Sequence, residues 1–155
     1  MKPKKLTLIS LTLLAILLVG AGVILMLSAA EIKASVKWDP KGYTLDGTVP
    51  SSWNAEIKLT GGRKAQTEIN ASTILLEGLY SPSSAAYNAT HGPSLIVPFN
   101  GNEVHAALDS KLPYHMGIVA PGRYRIPLEI NGTLYTGEEF LGSGTITVTV
   151  PEGSG

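Results

Sequence analysis

The sequence predicts an all-β domain, a sandwich of about seven short strands with one short helix, carried behind a single N-terminal transmembrane helix. Three observations predict it. Residues 6–30 form an uncharged, mostly apolar run; from Glu31 onward short stretches alternate apolar with polar residues; and Gly, Pro, Asn and Asp separate those stretches. A continuous apolar run suits a helix in hydrocarbon, whereas alternation turns one face of a strand to a core and the other to water.

The N-terminal segment comes first. A helix crossing the bilayer core needs about 20 apolar residues, and the Leu-, Ile- and Val-rich stretch from Leu6 to Leu27 supplies slightly more. Thr7, Ser10 and Thr12 can bond back to helix carbonyls and are tolerated at that depth. Lys2, Lys4 and Lys5 precede the run, and cationic residues stay on the cytoplasmic side. Residues 1–5 therefore read as a basic cytoplasmic N-terminus, residues 6–30 as a single-pass anchor, residues 31–151 as an extracellular domain and residues 152–155 as a flexible tail. The rival is a cleaved signal peptide, with Ser28 and Ala30 at the small-residue positions before a cut at Glu31. Signal cores last about 7 to 15 residues, so the longer run favours the anchor. Both readings export the domain.

Charge and cysteine usage remove whole classes of function. From Glu31 onward nine Lys and Arg oppose twelve Asp and Glu, a net charge of −3, with the bases scattered. Nucleic acid binding, which draws on a concentrated basic surface, is not expected. The chain has no cysteine. Disulfides, thiolate zinc sites, blue-copper centres and a lipidated N-terminal Cys are excluded by chemistry, so the domain must be held by core burial alone.

The elements of the outer domain follow in order. Ile32, Ala34, Val36 and Trp38 alternate with Lys33, Ser35 and Lys37 as a first strand, and Asp39-Pro40-Lys41-Gly42 turns the chain. Trp53, Ala55, Ile57 and Leu59 form the apolar side of a second, closed by Gly61-Gly62. Ser72 to Leu76 is a shorter third, and Ser94 to Phe99 a fourth in which Pro98 suggests an edge or a bulge. Asn100 to Leu112 changes period: Val104, Ala107, Leu108 and Leu112 fall at helical spacing after a polar start. Tyr124, Ile126, Leu128 and Ile130 alternate into Asn131-Gly132, which predicts a two-residue hairpin turn before Thr133, Leu134 and Tyr135. Ile146, Val148 and Val150 against Thr145, Thr147 and Thr149 give the last strand.

Few residues carry chemistry. Asn70-Ala71-Ser72, Asn88-Ala89-Thr90 and Asn131-Gly132-Thr133 are glycosylation acceptor patterns near loops, which suits an exported domain. His105, His115, Met116 and Asp109 could be imagined as a metal cluster, but no two histidines stand at helical or strand spacing, and surface histidines, His91 included, are the expected reading. Gly142-Ser143-Gly144 leads into a strand instead of the helix that a nucleophile elbow requires. Glu138-Glu139 reads as a solvated turn, because adjacent strand residues face opposite ways. Trp38, Trp53, Tyr43, Tyr80, Tyr87, Tyr114, Tyr124 and Tyr135 could furnish a binding face; core packing is expected of them, least clearly for Tyr87 and Tyr114. No enzyme activity and no cofactor are expected.

Three segments resemble an Ig-like β-sandwich module of exported archaeal and some bacterial cell-surface proteins. They are Ile69 to Gly78, Leu95 to Phe99 with Val104 to Leu108, and Gly137 to Val148. In the last, Gly137 permits a tight turn, Phe140 plugs the core and Gly142 allows a bulge. The resemblance covers about residues 32–150 and implies an Ig-like fold. Such modules often carry an Asp-rich calcium-type loop, whereas Tyr87 to Pro93 here contains no carboxylate to hold a hard cation. The function implied is non-enzymatic: structure, adhesion or protein binding at the cell surface, toward an envelope protein or a second copy. The alternative is an accessory subunit of a membrane assembly, such as a surface filament machine or a respiratory complex, its helix packing through Ala15, Gly20, Ala21 and Gly22.

Overall fold

The computed structural model describes residues 31–112 and 119–153. Residues 6–30, where the anchor is expected, and Tyr114, His115 and Met116 lie outside them. No helix among the described residues is long and apolar enough to cross a membrane. What they form is mostly β-structure.

Strands are β1 (Ile32–Asp39), β2 (Gly42–Thr44), β3 (Ser52–Leu59), β4 (Leu75–Leu76), β5 (Tyr87–Asn88), β6 (Leu95–Asn100), β7 (Gly122–Thr133) and β8 (Glu139–Val150). Between them lie a single helical turn α1 (Ala65–Glu68), a 3-10 turn (Ala71–Thr73) and the helix α2 (Gly101–Lys111). All eight strands join one hydrogen-bonded sheet, ordered β4-β7-β8-β1-β3-β6-β5, with β2 attached to β8. β1 holds a particular place in that order. It runs antiparallel to β3 and parallel to β8, with Ile32 to Ser35 beside Phe140 to Ser143. Beyond Ser35 it leaves β8, and β2 takes up the same edge at Thr147 to Thr149.

The sheet curls so that its inner faces make one core. Val36 and Trp38 from β1, Trp53, Ala55, Ile57 and Leu59 from β3, and Ile126, Leu128 and Ile130 from β7 are buried, while the residues between them stay at least partly in water. Each of the Val, Leu and Ile side chains among them contributes about 1.5–3 kcal/mol on burial, which is how the domain holds without a cross-link. Trp53 is fully buried and donates its Nε1–H to the Pro40 carbonyl at 3.0 Å, so its one polar group is satisfied. Helix α2 adds Val104, Ala107 and Leu108, the face read from its spacing. Asn100 caps it, its Oδ1 accepting from the Asn102 amide at 2.9 Å.

Three local expectations are corrected. Asn131-Gly132 is not the hairpin turn: both residues sit inside β7, paired with Leu141 and Phe140, and the chain reverses over Leu134 to Glu138 instead. Gly132 is there because a Cβ would lie 2.8 Å from the Phe140 ring. Gly142 makes no bulge either, since the β7–β8 register runs unbroken from Gly122 with Val150 to Thr133 with Glu139. A Cβ at Gly142 would press on Val36 and Ala34, so packing selects this glycine as well. Finally, Ser72 to Leu76 is not one strand. Asn70 Oδ1 accepts from the Ser72 amide at 3.3 Å and draws the chain into the 3-10 turn before β4 begins.

Pro98 lies where its reading places it. β3 flanks all of β6, but β5 reaches only Leu95 and Ile96, and the Pro98 carbonyl accepts from the Ser83 amide and hydroxyl instead of from a strand.

Candidate functional site

The outer face of the sheet across β1, β3, β6 and β5 is the candidate site. Register alone builds its centre: Lys37 pairs with Glu56, Glu56 with Ile96, and Ile96 with Tyr87. Adjacent strands lie about 4.8 Å apart, so these four side chains form one row across the sheet. Tyr87 is half exposed and Ile96 partly so, giving an apolar end; Lys37 and Glu56 give a charged end. Asp39, Lys41 and Asn54 complete a shallow depression of about 370 Å³.

A second depression of about 450 Å³ adjoins it where β1 parts from β8. Lys37, Lys41 and Arg125 rim it, and the outward hydroxyls of Ser143, Thr145 and Thr147 line it. Trp38 seals the floor, its Nε1–H donating to the Gly144 carbonyl at 3.2 Å.

Elsewhere the charged groups do structural work. Arg63 donates to Glu68 at 2.6 Å and to Glu138 at 2.9 Å, tying α1 to the β7–β8 turn. Its guanidinium, with the Thr136 hydroxyl second, holds the Glu138 carboxyl below its usual range. The Lys64 amide and then Arg63 do the same for Glu68. Lys111 meets Glu77 at 2.8 Å and also donates to the Pro127 carbonyl. Burial, with Asp46 second, pushes the Tyr43 hydroxyl up.

The residues singled out from sequence fall as follows. Asn88 and Asn131 are exposed, on β5 and β7; Asn70 is half-buried and holds the Ser72 hydroxyl at 2.7 Å. Among the described residues no three His, Asp or Glu side chains gather as a metal-holding group. His105 stacks edge-on against Tyr43 with ring centroids 5.7 Å apart, and His91 is exposed. Ser143 is an exposed residue of β8, and Glu138 belongs to the Arg63 bridge. Trp38, Trp53 and Tyr43 pack in the core, Tyr80 and Tyr124 partly so. Tyr135 corrects the expectation of packing: it is 71% exposed, because it lies in the turn that displaces Asn131-Gly132. The Lys41–Arg125 rim was not read from sequence. Its members are 84 positions apart, and only the pairing of β7 and β2 with β8 brings them together.

Compared with known proteins, the chain matches no family, no curated protein and no solved structure.

Proposed function

We propose that the chain is a membrane-anchored extracytoplasmic module with an Ig-like β-sandwich fold, which acts at the cell surface by offering a contact face to an envelope protein. The anchor rests on the length and charge flanks of residues 6–30. The sandwich reading is supported by β1, which bonds antiparallel to β3 and parallel to β8 and so joins what would be two facing layers. It is supported as well by the three segments that resemble surface modules.

The observation that carries the contact role is the Tyr87–Ile96 pair bordered by Glu56 and Lys37. Interfaces concentrate binding energy in a small apolar or aromatic centre ringed by polar groups, and Tyr is among the residues most enriched there. Tyr87 is 49% exposed on this face, so its ring is open to a partner.

Cross-linking and purification of the full chain from native membranes tests the reading. A partner should co-purify with the unaltered chain and be lost with Tyr87→Ser. Recovery of no partner, or of one held equally well by the variant, would contradict it. Recovery of integral-membrane subunits that survives Tyr87→Ser but not Gly20→Leu would favour the accessory-subunit role instead.

A further inference from the structure

We infer that the groove between β1 and β8 binds an acidic saccharide through its carboxylate or sulfate groups. On β8, Ser143, Thr145 and Thr147 all point outward. Thr147 stands between two cations: Arg125 faces it across the β7–β8 ladder, and its amide donates to the Lys41 carbonyl at 2.9 Å. Strand spacing of about 4.8 Å on either side puts both cationic stems within reach of one bound group. Lys37 approaches from the other wall.

Charge makes this place unlike the rest of the domain. The described ion pairs engage Arg63 and Lys111 with Glu68, Glu138 and Glu77, and none involves Lys37, Lys41 or Arg125. No carboxylate lines the groove, although acids outnumber bases from Glu31 onward. Lys37 and Lys41 also border the neighbouring depression, which holds Glu56 and Asp39, but in this groove the three cations face no carboxylate and repel one another unless an anion joins them. Arginine holds carboxylate and sulfate by two parallel hydrogen bonds, and lysine adds a point charge.

The hydroxyls decide the class of ligand. Ser143, Thr145 and Thr147 follow one another along β8 between the cationic rims and can donate to or accept from a sugar's own hydroxyls. The apolar wall, Val36 and Trp38, is buried. An acidic protein segment needs an exposed apolar anchor to bind firmly, and this groove supplies none. The inference rests on the proposed function only in taking the saccharide from the cell envelope.

The test uses the full-length chain in uncharged detergent micelles, titrated with oligogalacturonate, with a sulfated oligosaccharide, with neutral maltooligosaccharide and with poly-glutamate. One or both charged saccharides should bind and weaken as salt is raised, and the neutral one should not bind. Lys41→Gln and Arg125→Gln should each reduce affinity roughly tenfold or more, the size of one lost charge-assisted hydrogen bond. Arg125→Lys, which keeps the charge but loses the paired hydrogen bonds, should bind between the unaltered chain and Arg125→Gln, and Lys58→Gln, on the same face outside the groove, should change nothing. Absence of binding, affinity unmoved by the groove variants, equal binding of the neutral saccharide, or tighter binding of poly-glutamate would each overturn the inference. Because the titration is indifferent to which side of the membrane the domain occupies, its failure leaves the surface role standing, and the reverse holds too.

Discussion

The indole of Trp38 donates to the carbonyl of Gly144 at 3.2 Å, joining β1 to β8 at the point where the two strands stop pairing. A buried ring seated directly on backbone leaves no room for a side chain at residue 144. A Cβ there would collide with the Val36 carbonyl and stand 2.9 Å from Trp38 Nε1.

Gly144→Ala is therefore expected to destabilise the domain by about 3 kcal/mol, the upper end of ordinary overpacking costs. Gly137→Ala supplies the comparison. That glycine has φ +88° with open space around it, so the change costs only about 1 kcal/mol of backbone strain. Denaturant unfolding followed by tryptophan fluorescence measures both, since Trp38 and Trp53 are the chain's two tryptophans and both are buried. Equal losses from the two variants would refute the close packing at residue 144.

The Arg63 bridge predicts a pH dependence. Glu138 and Glu68 are both lowered on folding, Glu138 chiefly by Arg63 and Glu68 chiefly by the Lys64 amide with Arg63 second. A carboxyl depressed in the folded state adds stability that is complete above its unfolded value and is lost as pH falls through the folded one. Thermal midpoints should drop more steeply for the unaltered chain than for Arg63→Gln as pH falls from about 5 to about 3. The gap between them should stay constant above about pH 5. Parallel curves throughout would mean the bridge makes no contribution.

The acceptor asparagines should differ in use. Asn88 is exposed on the two-residue strand β5, and Asn131 is exposed but held inside the long β7 ladder. Asn70 already spends its side chain on Ser72. Glycan is expected at Asn88 before Asn131, and least at Asn70. Peptide mass mapping of the protein purified from its native cells checks the order; a sugar on Asn70 with Asn88 bare would reverse it.

Much of the strand pattern was legible because it is local. Val36 and Trp38, Ile57 and Leu59, Ile126 and Leu128, and Ile146 and Val148 announce their buried face by alternation alone, and α2 announces itself by Val104, Ala107 and Leu108. The turn at Thr136-Gly137 was misplaced to Asn131-Gly132 because the glycine that clears space for Phe140 looks, in sequence, like one that permits a tight turn. β2 escaped notice since Tyr43 alone marks its buried side, and α1 since one helical turn has no period to read. The candidate site was less legible still. Tyr87 is one of eight aromatics for which core packing is the expectation, though least clearly there, and its neighbours Ile96, Glu56 and Lys37 are set by register, which no single strand encodes.

The proposed placement of the domain outside the cell can be tested directly by impermeant thiol labelling. The chain contains no cysteine, so single substitutions report without background. Intact cells should label Asn88→Cys at once and Lys2→Cys only after lysis. Labelling of Lys2→Cys on intact cells with Asn88→Cys protected until lysis would place the folded domain in the cytoplasm and contradict the account at its root.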